Sequence, residues 1–275
     1  MKTSKPVTPS RRHYQVADSS VLTASEPFKP LVFFKKRSKG RSHGRITTRH
    51  KGGGNKKLYR KIYFGQEKKG IEGLVKSIEY DPFRTTYIAL VSYKDGDWGY
   101  ILAPKGLKVG DKIICEENAP IAIGNRLMLK NIPVGTFVHN IEIRPSGKGK
   151  IARAAGTYAQ LLAIDEGYAF LKMPSGEIRK VSENCYASIG QLSKEEHNII
   201  KVGKAGRKRH MGIRPTVRGS AMNTVDHPYG GGEGKTQRGT RRPKDIWGNI
   251  TGGRKTRKKD KYSKNLIVQR RPKKK

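Results

Sequence analysis

Positive charge is spread unevenly along this chain, and its placement limits what can fold. The 275 residues carry 59 Lys and Arg against 22 Asp and Glu, a formal net charge of +37. Residues 1–60 hold 16 basic and 2 acidic side chains, and residues 201–275 hold 24 and 4; residues 61–200 hold 19 and 16. Only the middle has the charge balance of an ordinary folded domain. The ends are rich in Gly, Pro, Lys and Arg, with little apolar surface to bury, and are expected to lack regular structure. A chain so charged repels itself and needs a polyanion to become compact. Nucleic acid is the leading partner and an anionic membrane the second. No basic amphipathic helix or long apolar run supports the membrane, so none is expected as a partner.

Cys115 and Cys185 stand far apart with no CxxC, which excludes a cysteine-rich zinc ribbon and a disulfide framework and fits a reducing compartment. The first residues, MKTSKPVTPSRRHYQ, lack an apolar segment, so no secretory signal is expected. They are basic and free of acid until Asp18, as organellar transit peptides are. Pro6 and Pro9 interrupt the amphipathic helix such a peptide needs, and the segment reads as mature sequence.

The middle reads as short strands between regularly spaced turns. In the first set, 71–80 ends at Asp81-Pro82, 87–93 (YIALVSY) meets the hairpin residues 94–97, and 98–102 and 106–115 follow. About five short strands in this length suit an OB-like barrel over 61–124. The second set, 127–129, 136–143, 158–164, 168–173 and 177–181, is punctuated by 145–149, Asp165-Glu166-Gly167 and Pro174-Ser175-Gly176. It suits an SH3-like barrel over 125–200. The fold class is therefore all-β, an OB-like barrel followed by an SH3-like barrel, flanked by basic extensions 1–60 and 201–275. Helix is scarce; 193–197 is expected to make one turn, with Ser193 as N-cap and Glu196 completing a capping box.

Two irregular stretches carry the candidate binding chemistry. Residues 40–60 interleave Arg41, Arg45, Arg49, Lys51, Lys56, Lys57 and Arg60 with glycines and Tyr59. Arginine pairs bidentately with phosphate, and glycine clears the approach, so RNA contact is favoured over a solvated linker. His50 joins that set; His43 and His50 have no cysteine or third histidine nearby to make a metal site. Residues 201–239 add Arg207, Lys208, Arg209, Arg214, Arg218, His227 and Lys235 around a Gly230-Gly231-Gly232 turn, where the backbone is free to approach a phosphate or base. The run up to Lys235-Thr236 falls short of a nucleotide-binding loop, because Tyr229 stands where its first glycine belongs. Ser220, Asp226 and His227 do not make a hydrolase triad: Asp226 and His227 are adjacent and no GxSxG elbow is present. Arg84 and Arg153 fall on barrel loops, where truncation is expected to weaken RNA binding without unfolding the chain. Trp98 and Tyr100 read as core or hairpin packing. No cofactor is expected.

Taken in order, GRITTRHKGGG (44–54), SIEYDPFRTTYIALVSYKDG (77–96), YILAPKGLKVGD (100–111), NIPVGTFVHNIE (131–142), ARAAGTYAQLL (152–162), GKAGRKRHMGIRPTVRGSAMNTVDHP (203–228) and GGGEG (230–234) resemble large ribosomal subunit protein two of the bacterial or organellar type. The resemblance covers nearly the whole chain. It implies a non-enzymatic constituent of the large ribosomal subunit, bound to large-subunit ribosomal RNA near the peptidyl transferase centre, beside other ribosomal proteins, the small subunit and tRNA. It implies no self-association and a place in a bacterial cytoplasm, or an organellar matrix or stroma. Arg84 and Arg153 match the family's RNA-binding arginines, and His227 matches the histidine linked to peptidyl transfer. Tyr229 and Asn55 stand where the family commonly has histidine. His227 precedes Pro228, which favours extended backbone and a ring directed away from the local chain to pin the glycine turn on RNA. The rival readings are a nucleic-acid-dependent NTPase, which lacks a complete phosphate loop, and a generic cationic nucleic-acid compactor, which needs only the tails.

Overall fold

The computed structural model describes residues 1–35, 39–234, 238–258 and 260–271. The expected contact Lys235 and the lysines 273–275 lie outside them. The chain divides into two compact units. One is Met1–Arg37, Lys56–Ala205 and Asn265–Lys275; the other is Ser38–Asn55 and Gly206–Lys264. The architecture is nearly all-β.

The first unit begins with an antiparallel sheet in the order Lys112–Ile113, Gly73–Glu79, Ile88–Tyr93, Trp98–Leu102. Both faces of this sheet are covered. Val75, Ala89, Val91 and Ile101 share one apolar cluster, while Ile88, Leu90, Tyr100 and Leu102 share another with Phe28, Leu31 and Phe64. That explains why YIALVSY is a continuous apolar run instead of an alternating one. Tyr100 ties the second face down. Its hydroxyl accepts from Phe28 N at 2.7 Å and donates to Glu79 Oε2 at 2.8 Å, and burial raises the Glu79 carboxyl above its ordinary pKa. Trp98 stacks on Phe28 at 5.0 Å.

A seven-stranded antiparallel sheet follows, ordered Arg126–Met128, Tyr186–Ile189, Phe137–His139, Ala159–Asp165, Tyr168–Lys172, Ile178–Ser182, Ile267–Gln269. The hairpin at Glu166-Gly167 has positive φ at both central residues (48° and 80°), the geometry that matches strand twist in a two-residue loop. Arg126, at the start of the first of these strands, and Glu142, in the short strand Ile141–Glu142, form a buried ion pair at 2.9 Å. Arg126 also donates to Asn140 O at 2.8 Å, and Glu142 Oε2 accepts from Tyr186 N at 3.3 Å, so one network joins three strands.

Five local expectations change. Within the extensions, where no regular structure is expected, Val32–Phe34 pairs with Leu58–Arg60, Ala205–His210 is helical, and Ile267–Gln269 pairs with Ile178–Ser182 because distant strands offer backbone partners that local composition does not show. The expected strand 106–115 shortens to Lys112–Ile113, because Lys108 N donates to Asp111 Oδ2 at 2.7 Å and closes a turn. The expected strand 136–143 breaks at Asn140, which has φ 50° and donates its side-chain amide to Phe64 O at 3.0 Å. Tyr186–Ile189 is an additional strand, buried at every position and paired on both edges. The helical turn is Glu195–Asn198, and Ser193 does not cap it. Its hydroxyl sits 3.0 Å from Thr86 Oγ1, and Lys194 takes the preceding position with φ 62°.

His139 is buried, with Nδ1 2.9 Å from Gly190 O, and burial together with the Arg126 charge pushes its pKa down to about 4. The unfolded value is higher, so the unfolded chain binds more protons between about pH 4 and 6.5. His139 thus contributes fully above that window, and its contribution is lost as pH falls through it. Unfolding by urea at a series of pH values should show up to about 3 kcal/mol of this loss in the native chain, absent from His139→Gln.

Candidate nucleic-acid interface

The unit formed by Ser38–Asn55 and Gly206–Lys264 carries 22 Lys and Arg against 4 Asp and Glu. Among the described residues, none of the chain's buried apolar side chains belongs to it. Backbone bonds hold it instead. Arg214 N donates to His50 O at 3.0 Å, Gly52 N to Gly212 O at 3.1 Å and Asn55 N to His210 O at 3.0 Å. This seam brings exposed Arg49, Lys51 and Arg214 together from distant parts of the sequence and leads into the short helix Ala205–His210, which carries Arg207, Lys208 and Arg209. Asn55 Oδ1 lies 3.1 Å from His210 Nδ1, so this departure from the family pattern has a structural partner. Arg41 and Arg45 lie on the two strands of a small exposed hairpin, opposite Ile46 and Ser42 respectively, whose turn residues, His43 and Gly44, have φ 48° and 73°. His50 is half-buried at φ 61°.

The loop 218–231 closes on itself. His227 N bonds Asn223 O at 3.3 Å, Gly230 N bonds His227 O at 2.8 Å and Gly231 N bonds Met222 O at 3.0 Å. The ring of His227 does not project from the chain as Pro228 led us to expect. It is buried, lies against Gly219 and accepts Tyr229 N–H at Nδ1, 3.1 Å away. A Cβ on Gly219 would meet that ring at 2.6 Å, so only glycine leaves room for it. The fold overrides the local bias because the ring gains a hydrogen bond and a packed surface by turning inward.

Tyr229 is the second keystone of the loop. Its ring packs on His227 with centroids 4.9 Å apart, and its hydroxyl accepts Lys244 N–H and a 3.4 Å bond from Thr240 Oγ1. Between these segments opens a cleft lined by Arg218, Arg238, Arg241 and Lys244, with Gly219, Gly239 and Tyr229 on its walls and no carboxylate in the lining. Four converging cations without a carboxylate suit a phosphate backbone. Arg238, Arg241 and Lys244 are not among the contacts expected from sequence, although they stand in the densely basic run RGTRRPK (238–244).

In the other unit, Arg84 and Arg153 meet at one aromatic ring. The Arg153 guanidinium lies 4.4 Å from the Phe64 centroid and that of Arg84 lies 5.5 Å from it. They are otherwise unlike. Arg84 is 14% exposed, ion-paired with the fully buried Asp81, and donates to Tyr59 Oη at 2.9 Å. Arg153 is exposed, donates to Gly149 O at 3.2 Å and has no carboxylate partner among the described residues. Partial burial and the neighbouring Arg84 charge lower its pKa, and an anion would relieve that repulsion. Lys56 is exposed, and Lys57 donates to Pro82 O at 3.2 Å. Arg60 turns inward, buried, and donates to Leu58 O at 3.1 Å, so its guanidinium is closed to phosphate.

Among the described residues, no three of His, Cys, Asp and Glu gather as a metal site, and no helix is long and apolar enough to cross a membrane.

Two successive small β domains, with a strongly basic and glycine-rich unit in the same chain, are the features expected of an RNA-binding class of protein. Residues 28–115 match the RNA binding N-terminal domain of Ribosomal Proteins L2, and residues 122–248 match the C-terminal domain of the same proteins. The chain belongs to the ribosomal protein L2 family. It is accordingly a ribosomal, RNA-binding protein with an OB-like barrel followed by an SH3-like barrel, associated with ribosomal RNA and other ribosomal proteins.

The geometry separates the two loop arginines. Arg84→Ala leaves the buried Asp81 carboxylate without its ion partner and should cost about 3 kcal/mol of stability, correcting the expectation that its loss leaves the fold intact. Arg153→Ala should change stability by less than about 0.5 kcal/mol. Urea melts of the two variants beside RNA-binding titrations check this: only Arg153→Ala should lose affinity at unchanged stability.

Proposed function

We propose that this chain is a structural constituent of the large ribosomal subunit that anchors large-subunit RNA near the peptidyl transferase centre. In that place it supports joining of the small subunit, tRNA placement and peptide-bond formation without being an enzyme itself, in a bacterial or organellar ribosome. The observation that carries this reading is the unit with 22 cations, 4 acids and no buried apolar side chain among its described residues. Such a unit repels itself and has no core to oppose the repulsion; a phosphate backbone supplies the missing attraction. A generic compactor would need only unstructured cations, whereas here glycine packing and tyrosine bonding shape a cleft. We assign Arg41, Arg45, Arg49, His50, Lys51, Lys56, Lys57, Arg153, Arg207, Lys208, Arg209, Arg214 and Arg218 to RNA contact. Arg60 and Arg84 hold the surface that presents those contacts.

Each neutralised phosphate contributes about −0.7 to −0.9 to the slope of log K against log salt. Replacing Arg218, Arg238, Arg241 and Lys244 together by Gln should flatten the slope on large-subunit ribosomal RNA by roughly 3. An unchanged slope would remove the cleft from the RNA interface.

His227 belongs to the scaffold of this site. Its Nδ1 lone pair is committed to Tyr229 N–H, so a neutral ring carries its hydrogen on Nε2 and has no free basic nitrogen. A general base contributes about 100- to 10,000-fold in rate and must reach the attacking group. Subunits assembled with His227→Ala should therefore transfer peptide at near-normal rate and show their defect in loop docking or subunit joining. Single-turnover peptide release is the measurement; a loss of the general-base size, with RNA around the loop intact by chemical probing, would make His227 catalytic.

A further inference from the structure

Trp247 is 74% exposed, although it sits on one of the most tightly bonded turns of its unit. Asp245 organises that turn. Its Oδ1 accepts Trp247 N at 3.0 Å and Asn249 N at 2.8 Å, its own N–H donates to Asn249 O at 2.9 Å, and Gly248 N donates to Asp245 O at 3.1 Å. Thr251 N closes the base by donating to Pro243 O at 2.8 Å. The indole is thus held out in water by a built support. A single exposed aromatic is ordinary on a protein surface; what sets this one apart is the bonded turn that holds it and the cations beside it.

The surroundings decide what the ring receives. The Arg49 guanidinium lies 5.9 Å from the indole centroid, within cation–π range. The turn is continuous with the basic cleft: Pro243, Lys244 and Thr251 line that cleft with Arg218, Arg238 and Arg241, and Lys244 N–H is bonded to Tyr229 there. A flat apolar ring beside converging cations is complementary to a nucleotide, the cations taking phosphate and the ring taking the face of the base. Bases within a duplex are already stacked on both faces, whereas an unpaired or bulged base has a face to give. We propose that Trp247 is a stacking post for an unpaired RNA base whose backbone runs through the cleft of Arg218, Arg238, Arg241 and Lys244. The proposal rests on the RNA-binding reading of that cleft and adds to it a contact made by the base itself.

The test uses the full chain, an oligoadenylate of about twelve nucleotides, and the same strand paired with oligouridylate, each compared at matched salt over a series of salt concentrations. Subtracting the emission of Trp247→Phe isolates Trp247 from Trp98. Single-stranded oligoadenylate should quench the Trp247 emission and the duplex should quench it much less. Trp247→Ala should raise Kd about tenfold with an unchanged salt slope, and Trp247→Phe should recover most of the affinity. Amide exchange at Asn249, unchanged in Trp247→Ala, would confirm that the turn survives. Unquenched emission, equal quenching by duplex, or equal affinity of Trp247→Ala and the native chain overturns the stacking post. So does a defect of that variant confined to binding a protein partner. Failure of the RNA-binding reading looks different: the native chain would bind without salt dependence, and replacing the four cleft cations would change nothing.

Discussion

Repulsion among like charges is the constraint on which the structure turns. The chain has 37 more positive than negative side chains, and its two compact units answer that excess differently. The unit containing both barrels holds 18 of the 22 acids and every buried apolar side chain found among the described residues. There the hydrophobic effect opposes the repulsion in the usual way, and even a buried arginine is matched by a buried glutamate. The unit of Ser38–Asn55 and Gly206–Lys264 has no comparable core. Its order comes from backbone hydrogen bonds, which are individually modest in net effect, and from close approach at glycines. An anion bound by such a unit would stabilise it by mass action, and folding and binding would then share one free-energy term.

The same constraint explains the arrangement of the cleft. Arginines that line one cleft must be held in place against their mutual repulsion, and flexible tails do not do that. Here Gly219 admits the His227 ring, the ring accepts a bond from Tyr229, and the Tyr229 hydroxyl fastens the segment that carries Arg241 and Lys244. Each link is short-range and polar, as it must be where no apolar core is within reach. Tyr229, which stands where the family commonly has histidine, supplies a phenol long enough to bridge the two segments.

Arg84 and Arg153 show how misleading a shared residue type is. Both read as loop arginines with the same assignment. In the folded chain one is a partner of a buried carboxylate and supports the Phe64 surface, while the other lies open on that surface. The difference lies in Asp81, whose complete burial follows from the turn at Asp81-Pro82 being folded in against the barrel.

Much was legible in the amino-acid order because it is local. Turn chemistry at Glu166-Gly167 and Pro174-Ser175-Gly176, the apolar run YIALVSY and the charge step at both ends depend on residues within a few positions of each other. Ordered motifs also carried the family, since a resemblance compares sequence with sequence. Tertiary structure alone decided the contacts between distant segments: the inward ring of His227, the meeting of Arg84 with Arg153, the seam joining Lys51 to Ile213, and the pairing of Tyr186–Ile189 between two strands. Their energies come from burial and hydrogen bonds to groups far along the chain, and no local propensity encodes which group will be there. Pro228 set a bias on the backbone of His227; a vacant surface at Gly219 and a backbone N–H two residues away decided where the ring went.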